Sequence, residues 1–284
     1  MSLFRGQGTT IAAVQLQIEP SRPEENLPRA AELVASAAGS GAALACLPAA
    51  FATGLNLPTL RSDATPLDGP VVAFLAEQAR RHQIHLAAGV LLSEDRELYD
   101  AAVLVGPSGD LLGVYRRASV WSGERDYIAA GQPLDAIETP VGRIGLQVSH
   151  DLRFPEASRH LLGQEVDIIV CVANLFVDYS QAALSVCRAR AADNECALVL
   201  ASSSGESRFA GMDYLGRSAI VDGLLVGASH GDEDDILALA PPRARDTVLT
   251  AQLYLRARRK TRATLPFHAD ADATWSTRFV GAGR

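Results

Sequence analysis

Short apolar runs alternate with longer amphipathic segments along most of the chain. The apolar runs predict β-strands at residues 10–18, 42–47, 84–92, 98–105, 111–115, 135–139, 144–148, 166–172 and 197–202. The segments with apolar residues at helical spacing predict helices at residues 24–38, 68–81, 154–163 and 181–194. This alternation of strands and helices is typical of an α/β layered fold.

The last third of the sequence has a different pattern, with short predicted strands and few helices. These strands are predicted at residues 218–221, 224–228, 236–239 and 247–255. A basic cluster follows, which we interpret as a solvent-exposed or interfacial strand end, formed by Arg256, Arg258, Arg259 and Lys260. Residues 261–284 predict an irregular C-terminal tail. Because no linker, repeat or low-complexity stretch interrupts the chain, we predict a single domain over residues 1–284.

The composition is that of an ordinary globular protein with an excess of acidic over basic residues. The chain has 284 residues, of which 48% are hydrophobic and 21% charged, and its formal net charge is −7. An acidic chain is poorly suited to nucleic acid or to an anionic membrane surface, so we expect neither as a partner. The N-terminus lacks the pattern of a signal peptide, and no apolar run reaches membrane-spanning length. The four cysteines are scattered without a CxxC pair, which fits a reduced, cytoplasmic protein.

Residues 143–156 carry the strongest chemical signal. The stretch begins as a predicted strand with alternating apolar residues and ends in Phe154, Pro155 and Glu156, which suit the first turn of a helix. Ser149 falls on the turn between strand and helix. Such a turn lifts one side chain out of the sheet edge, where helix N–H groups can meet a developing negative charge. The pattern therefore predicts a hydrolase-like site around Ser149.

This stretch, RIGLQVSHDLRFPE, resembles the cysteine motif of the nitrilase, or carbon–nitrogen hydrolase, superfamily, which reads G-x-C-x-D-x-R-F-P-E or close to it. The cysteine position of the motif holds Ser149. The other positions in register are Gly145, Asp151, Arg153, Phe154, Pro155 and Glu156. Further segments that resemble the family follow in order: AAVQLQ, CLPAAFATGL, VYRRASVWSGERDYIAAG, CRARAADNECALVLASSSG and FAGMDYLGRSAIVD. The resemblance extends over residues 11–255.

The resemblance implies a four-layer α-β-β-α sandwich and a homodimer. It also implies a chemistry in which a cysteine thiolate attacks a nitrile or amide carbon, a glutamate acts as general base and a lysine stabilises the developing charge. In this sequence the base position falls at Ala49, the lysine position at Arg117 and the nucleophile position at Ser149. A methyl group cannot accept a proton, and a guanidinium does not release one. Of the site positions, only Glu124, which matches a second family glutamate, keeps the family's residue.

We therefore interpret the chain as a carbon–nitrogen hydrolase family protein whose catalytic triad is degenerate and which binds a small molecule or a protein partner. The alternative is a divergent amidase that acts on a non-peptide amide through Ser149, so enzyme activity stays an open question at this point. A serine hydroxyl is a weak nucleophile without an adjacent base, and His150, its neighbour on a tight turn, is expected to point away. A carboxylate or imidazole within about 3.2 Å of the Ser149 hydroxyl would favour the alternative.

The remaining predictions concern the interior of the site. A buried cation that has lost its carboxylate is costly, so we predict that Arg117 moves into the space at Ala49 and pairs with Glu124 through its forked guanidinium. We also assign His150 and Asn174 as substrate-binding positions. Four histidines lie at no metal-ligand spacing, namely His150, His160, His230 and His268. Nothing in the sequence indicates a metal or another cofactor.

Overall fold

The computed structural model describes residues 8–208, 211–224, 235–242 and 244–264. The helices in these ranges are α1 Pro23–Gly39, α2 Leu60–Asp63, α3 Pro70–His82, α4 Pro155–Leu162, α5 Ser180–Asp193 and α6 Leu255–Thr264. The strands are β1 Thr9–Gln17, β2 Leu44–Leu47, β3 His85–Glu94, β4 Glu97–Val105, β5 Leu111–Arg116, β6 Ile137–Thr139, β7 Gly142–Val148, β8 Ile168–Ala173, β9 Ala197–Glu206, β10 Asp213–Leu215, β11 Ala219–Asp222, β12 Ile236–Leu239 and β13 Thr247–Leu253. None of the helices in the described ranges is both long and apolar enough to cross a membrane.

The strands form one sheet that folds over at β1 into two halves. The first half runs β5-β4-β3-β2-β1, and the second runs β9-β8-β7-β6. Strand β1 joins them because it pairs in parallel with β2 through residues 11–13 and with β9 through Leu16 and Gln17. Residues 11–16 of β1 are all buried, as expected for a central strand that is covered on both faces.

The two halves pack face to face, and this packing forms the central core. Across it, β4 contacts β7, β3 contacts β8 and β2 contacts β9. Apolar side chains from both halves fill the space between them, among them Ile11, Leu104, Ile144 and Val170. Helices α1 and α3 cover the outer face of the first half, and α4 and α5 cover that of the second. The predicted four-layer α-β-β-α sandwich is therefore confirmed.

The C-terminal part of the described chain differs from its prediction. The basic cluster belongs to helix α6 and is not a strand end, because β13 already stops at Leu253. Residues 261–264, predicted as the start of an irregular tail, continue this helix. Residues 265–284 lie outside the described residues, as do residues 225–228 of the predicted strand 224–228.

Arginine side chains hold α6 against the body of the sandwich, although three of the four residues of the basic cluster, Arg256, Arg259 and Lys260, are exposed as expected. Arg258 is buried and pairs with Asp222. Arg259 donates to both carboxylate oxygens of Asp167, at 3.1 and 2.5 Å. These acids come from distant parts of the sequence, so the local pattern of α6 contains no sign of them. A guanidinium fork suits such paired acceptors.

Arg262 gives the clearest test of this attachment. Its Nη2 donates to the carbonyl oxygens of Val166 and Glu195, at 2.9 and 2.7 Å, and the residue is 6% exposed. Arg262→Ala removes this donor from two carbonyls, so we expect the free energy of unfolding to fall by about 2–4 kcal/mol. Equilibrium unfolding in urea measures the change. The matched control is Arg256→Ala, an exposed residue of the same helix, and equal stability of the two variants would contradict this role for Arg262.

Candidate functional site

The site residues meet at the edge of the sandwich where the parallel strands end. Ala49 follows β2, Ser149 follows β7 and Asn174 follows β8, and all three strands have parallel neighbours. Arg117 comes directly after β5, and Glu124 lies in the 3-10 turn Ser122–Glu124. Because the carboxyl ends of parallel strands share one edge of a sheet, residues far apart in sequence converge there. Arg117, Glu124, Ser149 and Asn174 line a common cavity of about 230 Å³.

Ala49 is fully buried and is not among the described residues that line this cavity. It lies against β3, where a side chain added at Gly89 would come within 2.2 Å of the Ala49 Cα. The Gly89 N–H donates to the carbonyl of Pro48 at 3.1 Å, which holds the two segments together. Only glycine permits this close backbone approach. The position that carries the base in the family thus presents a methyl group packed in the core.

Ser149 occupies the predicted turn and adopts a left-handed backbone conformation. Its φ is +44°, a region that residues other than glycine rarely enter. Its hydroxyl oxygen accepts a hydrogen bond from the backbone N–H of Asn174 at 2.9 Å. Within the described ranges this is the hydroxyl's only hydrogen-bond partner, and no carboxylate or imidazole is bonded to it. The serine-dependent alternative requires a carboxylate or imidazole within hydrogen-bond reach of the Ser149 hydroxyl, and none of the described residues provides one.

The Asp151 carboxylate anchors the turn at Ser149. Its Oδ2 accepts hydrogen bonds from the Val148 N–H at 3.1 Å and the Tyr115 hydroxyl at 2.8 Å. Its Oδ1 accepts one from the Ser119 N–H at 2.9 Å. Burial raises the pKa of Asp151, while these three bonds act in the opposite direction because they stabilise the carboxylate. The side chain is therefore committed to the backbone around Ser149 and not to a proton-transfer role.

The Arg117 guanidinium is buried between two acids. The residue is 2% exposed and pairs through Nη2 with Glu124, which confirms the predicted ion pair. Its Nη1 lies 3.2 Å from Oδ2 of Asp100. Burial works to lower the pKa of Arg117, but Asp100 and Glu124 outweigh it and raise the pKa above the ordinary value. That Arg117 fills the space beside Ala49 stays a prediction.

Asp100 is the site residue that the sequence analysis missed. It is completely buried in β4, and burial raises its pKa to about 7, although Arg117 acts in the opposite direction. Despite the short distance to Arg117, neither of its oxygens receives a well-directed hydrogen bond from a described residue. The hairpin register places the acid next to its partner, since Ala101 faces Arg116 and the Arg117 N–H donates to the Asp100 carbonyl. The sequence feature that could have indicated this role is the acidic residue Asp100 within the otherwise largely apolar predicted strand 98–105.

The two residues assigned to substrate binding have different environments. His150 lines the cavity and stacks edge-on against Phe154, with ring centroids 5.2 Å apart. Burial lowers its pKa, and nearby arginines add to this effect, so the neutral ring is favoured. Asn174 also lines the cavity, and in the amide orientation that satisfies its neighbours its nitrogen donates to the carbonyls of Ala49 and Ala173 at 3.1 and 3.2 Å. Asn174 therefore links the ends of β2 and β8, and its contact with a ligand stays a prediction.

Metal ligation finds no support in the part of the chain that the structure describes. No three His, Cys, Asp or Glu side chains are arranged there to hold an ion. His160 lies near the surface, 3.2 Å from Asp135. His230 and His268 lie outside the described residues.

Comparison with known sequences identifies the family. The profile of the carbon–nitrogen hydrolase family matches residues 10–262. A nitrilase of Pyrococcus abyssi is 30% identical over 216 residues, which cover 74% of this chain and 80% of the relative. The chain therefore belongs to the carbon–nitrogen hydrolase family.

Solved structures share the fold over nearly the whole chain. A CN-hydrolase superfamily protein of Xanthomonas campestris matches with a TM-score of 0.82 at 25% identity, covering 94% of this chain and 98% of its own. A double mutant of the amidase from Nesterenkonia sp. AN1 matches with a TM-score of 0.73 at 21% identity, covering 92% of this chain and 97% of its own. In that mutant a glutamate is replaced by glutamine and a cysteine by alanine, and the protein is in complex with acrylamide.

The raised pKa of Asp100 predicts a pH dependence of stability. Between the ordinary value of 3.8 and about 7, the folded protein keeps a proton that the unfolded chain has released, so stability falls as pH rises through this range. Asp100→Asn removes this contribution, which is on the order of 4 kcal/mol for such a shift. We expect the variant to gain stability relative to the wild type as urea unfolding is repeated from pH 4 to pH 7. The exposed Asp126→Asn is the control, and parallel pH profiles for all three proteins would contradict the assignment.

Proposed function

We propose that this carbon–nitrogen hydrolase family protein binds a small, uncharged amide without hydrolysing it. The observation that carries the proposal is the environment of Ser149, whose hydroxyl lines the cavity with the Asn174 N–H as its only described partner. A serine needs an adjacent base before it attacks a carbonyl carbon. The same hydroxyl still has a proton to donate to a ligand's carbonyl oxygen, because its bond to Asn174 uses only a lone pair.

The charges in the cavity wall favour a neutral ligand. The positive charge of Arg117 faces two buried acids, so it offers little attraction to an anion. The wall also contains Arg153 and Asp178, which are opposite in sign. The Arg153 guanidinium lies over the ring of Tyr179, 4.9 Å from its centroid. Such stacking partly compensates the positive charge of the Arg153 guanidinium without a carboxylate.

The size and the remaining walls of the cavity favour a small ligand with an apolar portion. The volume of about 230 Å³ is below the roughly 300–1,000 Å³ that is usual for larger ligands. Apolar and aromatic side chains complete the wall: Trp121, Leu175, Phe176 and Met212. The Nesterenkonia double mutant supports this choice by analogy, since a protein of this fold that has lost a glutamate and a cysteine still holds acrylamide.

Propionamide, a saturated analogue of acrylamide, serves as the probe. We expect saturation-transfer NMR to detect its binding to the wild type, and an ammonia assay to find no turnover above background. Ser149→Ala removes one hydrogen-bond donor and should weaken binding about 2- to 10-fold. The exposed Ser122→Ala is the matched control. Ammonia release that disappears in Ser149→Ala would replace this proposal with the serine-dependent amidase.

The same assay tests whether the missing base accounts for the expected lack of turnover. We expect Ser149→Cys alone to release no ammonia, because the cysteine still lacks a base. The triple variant Ala49→Glu, Arg117→Lys, Ser149→Cys restores all three residue types of the family's chemistry and should release ammonia above background. Turnover by the single variant would show that a base exists elsewhere in the site.

We further propose that the protein forms a homodimer through helix α5. Its exposed side carries small residues at helical spacing, at Ala182, Ser185, Ala189 and Ala192, and such a surface permits close approach of a second helix. We expect light scattering to show a dimer at micromolar concentration and Ala189→Arg to shift it toward monomer. Ala35→Arg, on the exposed side of α1, is the matched control. A wild-type monomer would contradict the proposal.

A further inference from the structure

We propose that a second cavity, next to the one at Ser149, binds a small aromatic anion through the ring of Phe154 and the guanidinium of Arg125. This outer cavity has a volume of about 730 Å³, within the roughly 300–1,000 Å³ of ordinary ligand sites. Trp121 and His150 line both cavities, whereas Ser149 lines only the inner one. The two spaces therefore adjoin, but binding in the outer cavity does not require the amide proposed for the inner one.

A turn closed by backbone hydrogen bonds carries Arg125 in the wall of the outer cavity. The Glu124 N–H donates to the Trp121 carbonyl at 2.9 Å. The Glu124 carbonyl in turn accepts bonds from the N–H groups of Tyr127 and Ile128, at 2.9 and 2.8 Å. Ile128 is buried beneath the turn, and the Glu124 side chain is held by its buried ion pair. Because the backbone around Arg125 is already fixed, an anion that binds there does not have to order it.

Arg125 gives the outer cavity a positive charge that its wall does not compensate. Arg117 pairs with two acids, and Arg153 stacks on Tyr179. In contrast, none of the residues that the structure describes forms an ion pair or a hydrogen bond with Arg125. No acidic side chain is among the described residues that line this cavity. Burial is the main cause of the lowered pKa of His150, and the charge of Arg125 adds to it, so this charge acts on the wall that the cavities share.

Exposed aromatic surface provides the second part of the recognition. Phe154 is 39% exposed, so its ring offers apolar area that the protein leaves uncovered. The Trp121 indole packs on Gly123, where an added Cβ would lie 2.6 Å from the ring, and this close contact fixes its position. Small and aliphatic side chains complete the wall: Ala118, Val120, Ile128, Ala129 and Ala130. An aromatic carboxylate matches this lining, because its ring can stack on these rings while its charge faces Arg125.

Two fluorinated probes separate the charge from the ring. 4-Fluorobenzoate and 4-fluorobenzyl alcohol share the ring, but only the benzoate is an anion at neutral pH. In fluorine NMR titrations at low salt, we expect the wild type to bind the benzoate about 2- to 5-fold more tightly, as one exposed ion pair provides. At about 1 M salt this preference should largely disappear, because the screening length falls to roughly 3 Å.

Variants locate the contact. Arg125→Gln should bind the two probes equally, whereas Arg125→Lys keeps the charge and should keep most of the preference. Arg256→Gln, at an exposed position of α6, makes the same change in net charge and should leave the preference intact. Phe154→Ala should weaken both probes about 2- to 10-fold through the lost ring contact. Ser149→Ala should weaken neither, which distinguishes the outer cavity from the inner one.

Four results would overturn the proposal. The first is equal binding of both probes by the wild type at low salt, and the second is a preference that persists in Arg125→Gln. The third is a loss of affinity in Ser149→Ala but not in Phe154→Ala, which would place the probes in the inner cavity. The fourth is binding of neither probe, which would show that the outer cavity holds only solvent. If Phe154→Ala folds poorly, Ala130→Trp replaces it, since its ring would fill the outer cavity and should abolish binding of both probes.

Discussion

Face-to-face packing of the two half-sheets is the constraint on which the rest of this structure depends. A strand that faces the opposite half on one side and helices on the other must be apolar on both sides, and β1 meets this requirement while pairing with both halves. Once the halves are stacked, the ends of β2, β7 and β8 come to one edge. The residues at those ends then converge whatever their chemistry. The packing of the core therefore fixes the backbone positions of the site, whichever side chains those positions carry.

The buried positive charge of Arg117 is a second constraint on the site. Arg117 is held away from water and therefore needs acids at close range, which Glu124 and Asp100 provide from a loop and a strand. The turn at Ser149 is stabilised separately, through the carboxylate of Asp151. The two acids around Arg117 and the acid beneath the turn thus have structural roles, in a site where the family's nucleophile and base positions hold serine and alanine. This compensation of charge is the basis of the proposal that the cavity holds a neutral molecule.

The features that depend on local pattern could be predicted from the sequence. Alternation before Ser149 and Pro155 after it place a strand, a turn and a helix in that order, and the structure has all three. The Arg117–Glu124 pair followed from the cost of an uncompensated buried charge. Features that depend on distant partners could not be predicted in this way. Asp100 acquires its role through the register of a hairpin, and Arg258 and Arg262 of α6 are buried because acceptors arrive from distant parts of the chain.

The left-handed backbone at Ser149 has a consequence for how this position changes over evolutionary time. The conformation costs a residue other than glycine roughly 1–2 kcal/mol, and the neighbouring hydrogen bonds of Asp151 and Asn174 hold it in place. Glycine would adopt it more cheaply, and a single nucleotide change can convert some serine codons to glycine codons. That exchange would also leave the buried Asn174 N–H without its acceptor, so the strain that glycine relieves is set against a lost hydrogen bond. The residue found at this turn in related genes therefore depends on which of these two contributions is larger and on whether the hydroxyl is used in binding.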